Sequence, residues 1–183
     1  MTTLVVDIEN NKIVTDSRCT EYCAQRYEMA LFNKNVTLPF FKKKFVRYND
    51  EYTWKSIRII KDGFTEFLCG SGIVSEIDTF IKAYRKNKIP KSFLKNSTVF
   101  VVKFNGHNWT VDNYNNSVKG TYEDTTAWIT SGSGSELAAG AIDILSKHDK
   151  NRALKAVKVA IDRDKSSGGT TQVLNIEDYC DIY

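Results

Sequence analysis

Apolar residues change period along this chain, and each change predicts an element. From Thr2 to Ile8 and from Lys12 to Ser17 they run in short β-branched and aliphatic blocks. The blocks meet at Asn10-Asn11, a residue type that tolerates the positive φ of a tight turn, so the chain opens with a predicted hairpin. A second hairpin is predicted from Thr53 to Ile60 and Phe64 to Cys69, around the turn Lys61-Asp62-Gly63. From Gly72 the period becomes helical, with Ile73, Ile77, Phe80, Ile81 and Tyr84 on one face and an end near Asn87 and Pro90. Ser97 to Thr130 returns to strands, VFVVKF and TAWIT, broken at Asn105-Gly106 and Asn115-Asn116, and reads as antiparallel sheet. Two helices follow. Ser135 to His148 is read with Leu137, Ala141 and Ile144 inward, and Arg152 to Asp162 with Ala153, Ala156 and Ala160 inward. Gly168-Gly169 then leads into a last strand, Gln172 to Ile176. The order suits an α+β fold of two sheets packed face to face with helices outside.

Composition narrows this picture. With 183 residues and 42% hydrophobic content the chain can bury one real core but not comfortably two, so residues 1–183 are read as a single domain. The two prolines and ten glycines exclude collagenous and low-complexity classes. The start, MTTLVVDIENNKIV, has no basic segment ahead of a long apolar run, and no stretch approaches the roughly 18 apolar residues of a membrane helix. A cytoplasmic protein without membrane attachment is expected. The four Asn-x-Ser/Thr sequons at Asn35, Asn96, Asn108 and Asn115 are what an Asn-rich chain produces by chance. Cys19, Cys23, Cys69 and Cys180 are scattered and read as free thiols. With only His107 and His148 besides, and no ligand spacing, no metal site is expected.

The candidate chemistry begins at the second residue. Freed of Met1, a threonine there carries nucleophile and base together: its hydroxyl attacks a carbonyl and its own α-amine, with an intrinsic pKa of about 8, takes the proton. Met-Thr starts are common, and by itself this one signifies only efficient methionine removal.

Five segments, the start among them, carry a resemblance. MTTLVV, TDSRCT, FLCGSG, SGSGSELAAGA and RDKSSGGTTQVLNI occur in the order, and across nearly the whole chain, in which similar segments occur in proteasome β subunits and HslV. The chain thus resembles the proteasome/HslV family of N-terminal-nucleophile threonine peptidases. That resemblance implies a four-layer αββα sandwich of two antiparallel sheets flanked by helices. It implies a threonine-type endopeptidase of a self-compartmentalised protease, with a polypeptide substrate, homo-oligomeric rings, an ATP-dependent unfoldase as partner and no cofactor for peptide cleavage. It makes Thr2 the nucleophile and Asp16 the group that orients an active-site lysine, with Ser133, Asp164 and Ser167 completing a network around the Thr2 amine. Gly70 is implied as the oxyanion-facing backbone donor. Thr20 and Gly70 are implied as main-chain partners of a substrate strand, and Leu68 as lining the pocket for an apolar side chain before the cut.

The match departs from the family in three places. The lysine precedes a strand of alternating apolar residues, and both Lys55-x-Ile57-x-Ile59 and Lys34-x-Val36-x-Leu38 fit. Lys55 is preferred because it directly precedes the second hairpin, and hairpin adjacency constrains geometry whereas loop length does not. The opening hairpin is shorter than the family's, by an even step that keeps side-chain alternation in register. A basic and aromatic insertion occupies about residues 21–52, including LFNKNVTLPFFKKKFVRYND. Such interleaving occurs in single-strand nucleic-acid binders. The simpler reading is a surface loop anchored by Phe40, Phe41 and Phe45, or a contact between subunits, and nucleic acid is not expected as a partner. Two other functions fit the same residues: a non-catalytic ring-forming scaffold that retains Met1, and an amidase acting on a small amide.

Overall fold

The opening hairpin forms where its pattern places it: β1 (Thr3–Asp7) pairs antiparallel with β2 (Lys12–Asp16), and Asn11 supplies the positive φ of 52°. The structure, a computed structural model, describes residues 2–26, 42–49, 55–61, 64–88, 94–104, 109–116, 119–122, 127–176 and 178. After the hairpin come β3 (Cys19–Arg26), β4 (Lys42–Asn49), β5 (Ser56–Lys61), β6 (Phe64–Ser71) and α1 (Val74–Tyr84). Then follow β7 (Thr98–Phe104), β8 (Trp109–Tyr114), β9 (Lys119–Tyr122), β10 (Trp128–Gly132), α2 (Ser135–Asp143), α3 (Arg152–Arg163) and β11 (Thr171–Asn175).

The strands form a four-stranded antiparallel sheet, β10-β1-β2-β11, and a five-stranded one, β5-β6-β7-β8-β9. Leu4, Val6 and Ile13 of the first meet Phe67, Phe100, Val102 and Val111 of the second in one core between the sheets. On the outer face of the first sheet, Val5 and Val14 pack under α2 and α3. On the outer face of the second, Ile59, Leu68, Val99 and Val101 pack under Phe80 and Tyr84 of α1. The layers are therefore helix, sheet, sheet, helix. Burial on both faces explains why β1 reads TLVVD, a near-continuous apolar run rather than an alternating one.

Three readings of the sequence are corrected. Within the insertion, β3 and β4 pair antiparallel from Cys19↔Asn49 to Arg26↔Lys42, where a loop was expected. The β-prone Phe45, Val46 and Tyr48 are there, but the run Lys42-Lys43-Lys44 obscures their pattern. Phe40 and Phe41 lie outside the described residues, as does Lys34. Second, β10 leaves the sheet of β7–β9 and pairs with β1, from Thr3↔Gly132 to Asp7↔Trp128. Third, α2 ends at Asp143 and buries Ala138, Ala141 and Ile142, leaving Leu137 39% and Ile144 85% exposed. Its neighbour α3 presents Ala153, Ala156 and Ala160, and a contact between two small-residue faces lets the helices approach closely, which turns the larger side chains outward. Among the described residues no helix is long and apolar enough to cross a membrane.

An ion pair that was not anticipated ties α3 to the hairpin. Arg152, 3% exposed, donates from Nε and Nη2 to the two oxygens of the fully buried Asp7, at 2.8 and 2.7 Å, and also contacts Glu9 at 2.8 Å. Asp7 additionally accepts the backbone and side-chain N–H groups of Asn10. Removing one partner of such a pair strands a buried charge. Arg152→Met is expected to lower unfolding free energy by about 3–5 kcal/mol in urea denaturation, with part of the loss recovered by adding Asp7→Leu. A loss below about 1 kcal/mol, the range of exposed pairs, would show that the pair contributes no more than a surface contact.

Candidate active site

β2 ends at Asp16, whose side chain is fully buried. An unpaired carboxylate there would be costly, and three segments supply its partners. The Thr3 N–H donates to Oδ1 at 2.9 Å, Lys55 Nζ donates to the same oxygen at 2.6 Å, and the Gly168 N–H donates to Oδ2 at 2.9 Å. Lys55 Nζ also donates to the Arg18 carbonyl at 2.6 Å, and its side chain is only 6% exposed. Of the two lysines that fit the strand pattern, Lys55 thus stands in contact with Asp16.

A second cluster forms where α3 ends. Asp164 caps α3, and its Oδ2 accepts the hydroxyls of Ser133 and Ser167, both at 2.7 Å, while Oδ1 accepts the Ser166 N–H at 3.0 Å. Since the Ser167 proton goes to Asp164, the Ser167 oxygen accepts from the Thr3 hydroxyl, 2.6 Å away. Ser133, Asp164 and Ser167 are therefore brought together as the resemblance implies. They connect to β1 through Thr3, a residue that sequence reasoning passed over. Arg18 was passed over too: Nη1 holds the carbonyls of Lys165 and Ser167 at 3.1 and 3.0 Å, and its backbone N–H donates to the Gly168 carbonyl. These bonds fasten the 165–168 loop to the end of β2.

Thr2, 5% exposed, borders a cavity of about 250 Å3 that Ser133 also lines. Two glycines permit this packing. Gly132 has φ of 96°, and a Cβ there would stand 1.8 Å from the Thr2 carbonyl oxygen. A Cβ on Gly134 would stand 2.1 Å from Thr3 Oγ1. Across the cavity, the Ser71 and Ser131 hydroxyls bond at 2.7 Å and link the two sheets.

Leu68, 1% exposed, packs in the core under α1 and does not line the Thr2 cavity. The Gly70 N–H donates to the Lys55 carbonyl at 3.1 Å. Thr20 lies in β3, with its backbone opposite Tyr48.

Partial desolvation raises the Asp164 pKa, but the bonds from the Ser133 and Ser167 hydroxyls and from the Ser166 and Ser167 backbone amides outweigh it and hold the carboxyl below its ordinary value. A depressed carboxyl stabilises the fold above its unfolded pKa of about 3.9, and that contribution disappears as pH falls through the lower folded value. Wild type is expected to lose its stability advantage over Asp164→Asn as pH falls below about 4, read as urea midpoints against pH. A gap between the two proteins that stays constant down to the acid transition would refute the assignment.

No protein-family model matches the chain, and no curated protein matches it by sequence. Solved structures do match. HslV from Trypanosoma brucei is 13% identical with a TM-score of 0.55, the match covering 94% of this chain and 97% of that one. Anbu from Hyphomicrobium sp. strain MC1 is 11% identical with a TM-score of 0.60, covering 94% and 80%. Anbu, the ancestral beta-subunit, from Yersinia bercovieri is 10% identical, also at 0.60, covering 95% and 80%. At such identities the likeness concerns architecture. The chain has the two-sheet, helix-flanked fold of HslV and Anbu.

Proposed function

We propose that this chain is a threonine-type endopeptidase subunit of a proteasome-like or HslV-like self-compartmentalised protease. One observation carries the reading: two polar clusters, the buried Asp16–Lys55 pair and the partly exposed Ser133–Asp164–Ser167 group, both attach to β1 at Thr3, one residue from Thr2. Met1 lies outside the described residues, and the reading requires its removal. Thr2 Oγ1 then attacks the peptide carbonyl while the Thr2 α-amine takes the hydroxyl proton. The Lys55 ammonium, fixed by Asp16 and the Arg18 carbonyl, favours the developing alkoxide electrostatically. The Ser133 hydroxyl donates its hydrogen bond to Asp164, so its oxygen offers the amine only lone pairs, which suits an amine that becomes an ammonium. The ammonium protonates the departing amine, leaving an ester on Thr2, and water activated by the regenerated amine hydrolyses it. Homo-oligomeric rings, a polypeptide substrate and an ATP-dependent unfoldase belong to the same proposal.

The bond from the Gly70 N–H to the Lys55 carbonyl favours a second reading. An oxyanion would have to displace that carbonyl, which suits a non-catalytic scaffold that retains Met1. Intact mass establishes whether Thr2 is the terminus, and turnover of fluorogenic peptides by the processed form separates the readings. Thr2→Ala is expected to abolish turnover without lowering Tm, and Asp164→Asn to cut it by roughly 10²–10⁴ with assembly size unchanged by light scattering. Processed wild type inactive on every peptide and protein substrate, with or without an unfoldase, would leave the scaffold.

A further inference from the structure

We propose that Thr3 is a positioning residue of the candidate active site: its hydroxyl, acting through Ser167, fixes the hydrogen-bond order of the Ser133–Asp164–Ser167 cluster and so sets how that cluster serves the Thr2 amine. The role rests on the peptidase reading. It adds a residue that neither the motifs nor the resemblance selects.

Thr3 is fully buried, so its hydroxyl proton cannot go to solvent and must find a protein acceptor. Oγ1 stands 2.6 Å from Ser167 Oγ. Gly134 closes the space beside this pair, since a Cβ there would lie 2.1 Å from Thr3 Oγ1 and 3.0 Å from Ser167 Oγ. The direction of the bond is decided further along. Asp164 as a carboxylate only accepts, so Ser167 donates to its Oδ2 at 2.7 Å, and Ser133 donates to the same oxygen at 2.7 Å. Thr3 therefore donates to Ser167. The bonds run one way, from Thr3 to Ser167 to Asp164, and a hydroxyl that accepts a hydrogen bond gives its own proton more strongly. Taking the Thr3 proton away weakens the bond from Ser167 to Asp164 and leaves the Ser167 oxygen, in a residue 1% exposed, without that donor.

The main chain of the same residue serves the other cluster. The Thr3 N–H donates at 2.9 Å to Asp16 Oδ1, the oxygen that also accepts from Lys55. One residue beyond Thr2, the chain is thus held by its N–H to the lysine side and by its hydroxyl to the Asp164 side. A β-branched residue suits this position, because restricted χ1 aims the hydroxyl before the bond forms. Serine would keep the bond and lose part of the aim. Valine would keep the shape and lose the bond.

In the processed protein, Thr3→Val is expected to lower kcat by about tenfold or more with KM within about twofold, since the hydroxyl acts on the cluster and not on substrate. Thr3→Ser is expected to recover most of the loss. Because the hydroxyl acts through Asp164, the costs of Thr3→Val and Asp164→Asn should not add, and the double variant should turn over within about threefold of Asp164→Asn alone. An undiminished kcat in Thr3→Val overturns the role, as does a serine variant no better than valine or a loss in the double variant equal to the product of the single losses. If wild type turns over no peptide, the same variants are compared by urea denaturation against pH. Against partial desolvation, which raises it, the bonds from Ser133 and Ser167 hold the Asp164 carboxyl below its ordinary value. Wild type should then be more stable than Thr3→Val at neutral pH, the gap closing as pH falls below about 4 and vanishing in the Asp164→Asn background. The charged groups around Asp164 are unchanged in every variant: Arg163 and Lys165 beside it in the chain, Arg18 bound to the same loop, and the Asp16–Lys55 pair beyond Gly168. A gap that depends on both pH and Asp164 upholds the place of Thr3 in the cluster while the peptidase reading falls. A gap that is absent, or constant with pH, overturns the role as well.

Discussion

A carboxylate with no access to solvent must be paired, and Asp16 answers that constraint by recruiting the start of β1, the residue ahead of β5 and the loop ahead of β11. These segments are distant in sequence, and nothing in their local propensities brings them together. Once the Asp16 oxygens are satisfied, the positions of Thr3, Lys55 and Gly168 follow. Arg18 adds a second tie between the same loop and the end of β2. Asp7, at the other end of β1, obeys the same rule through Arg152. The strand is thus held by a buried carboxylate at each end, while Leu4, Val5 and Val6 between them are fully buried. A reactive group carried one residue ahead of such a strand is held by its scaffold rather than by its own contacts, which is what a preorganised site requires.

The parts of the fold legible in the sequence were those governed by local pattern. Asn11 marked its turn, the apolar stripe of α1 marked its buried face at Phe80 and Tyr84, and the alanines of α3 marked theirs. The face of α2 was misread because hydrophobicity favours Leu137 and Ile144, whereas helix-to-helix distance favours Ala138 and Ala141. No local signal distinguishes β10 from the strands before it, since its partner is chosen by the sheet edge that β1 leaves open. Among the candidate site residues, Asp16, Ser133, Asp164 and Ser167 were selected by resemblance to short motifs and Lys55 by its place ahead of the second hairpin, and the structure brings them into two bonded clusters. Thr3 and Arg18 were missed because their roles depend on what lies across a loop or a sheet, and a backbone N–H has no signature in sequence.

The alternation of strand side chains explains why Leu68 and Ser71 differ so much in environment. In β6, Phe67 and Cys69 face the other sheet and Leu68 faces α1. Ser71 shares the parity of Phe67 and Cys69, so it meets Ser131 across the gap between the sheets. Burial pushes the Cys69 thiol up, so it stays un-ionised within that gap. The core between the sheets is apolar through Phe67, Phe100 and Val102 and becomes serine, threonine and glycine at the Thr2 end. There the small polar residues stop filling the space, and the cavity is what they leave.

The same alternation separates the two halves of the candidate chemistry. Leu4 and Val6 face the gap between the sheets, so Thr2, in step with them, directs its side chain to the same side, in agreement with its place beside Ser71 and Ser131. Thr3 and Val5 face the helices, and there Thr3 meets Ser167. Ser167 of the Ser133–Asp164–Ser167 cluster thus approaches β1 from the helix side, while Ser133 borders the cavity that Thr2 also lines, and Lys55 reaches the same strand through Asp16 at the end of β2. A group on the helix side can address the main-chain nitrogen at the head of β1 without contacting the side chain that points the other way. Under the proposed mechanism this is the required division, because the base is that nitrogen and the nucleophile is that side chain. One residue supplies both, and the two-residue period of the strand keeps their environments apart.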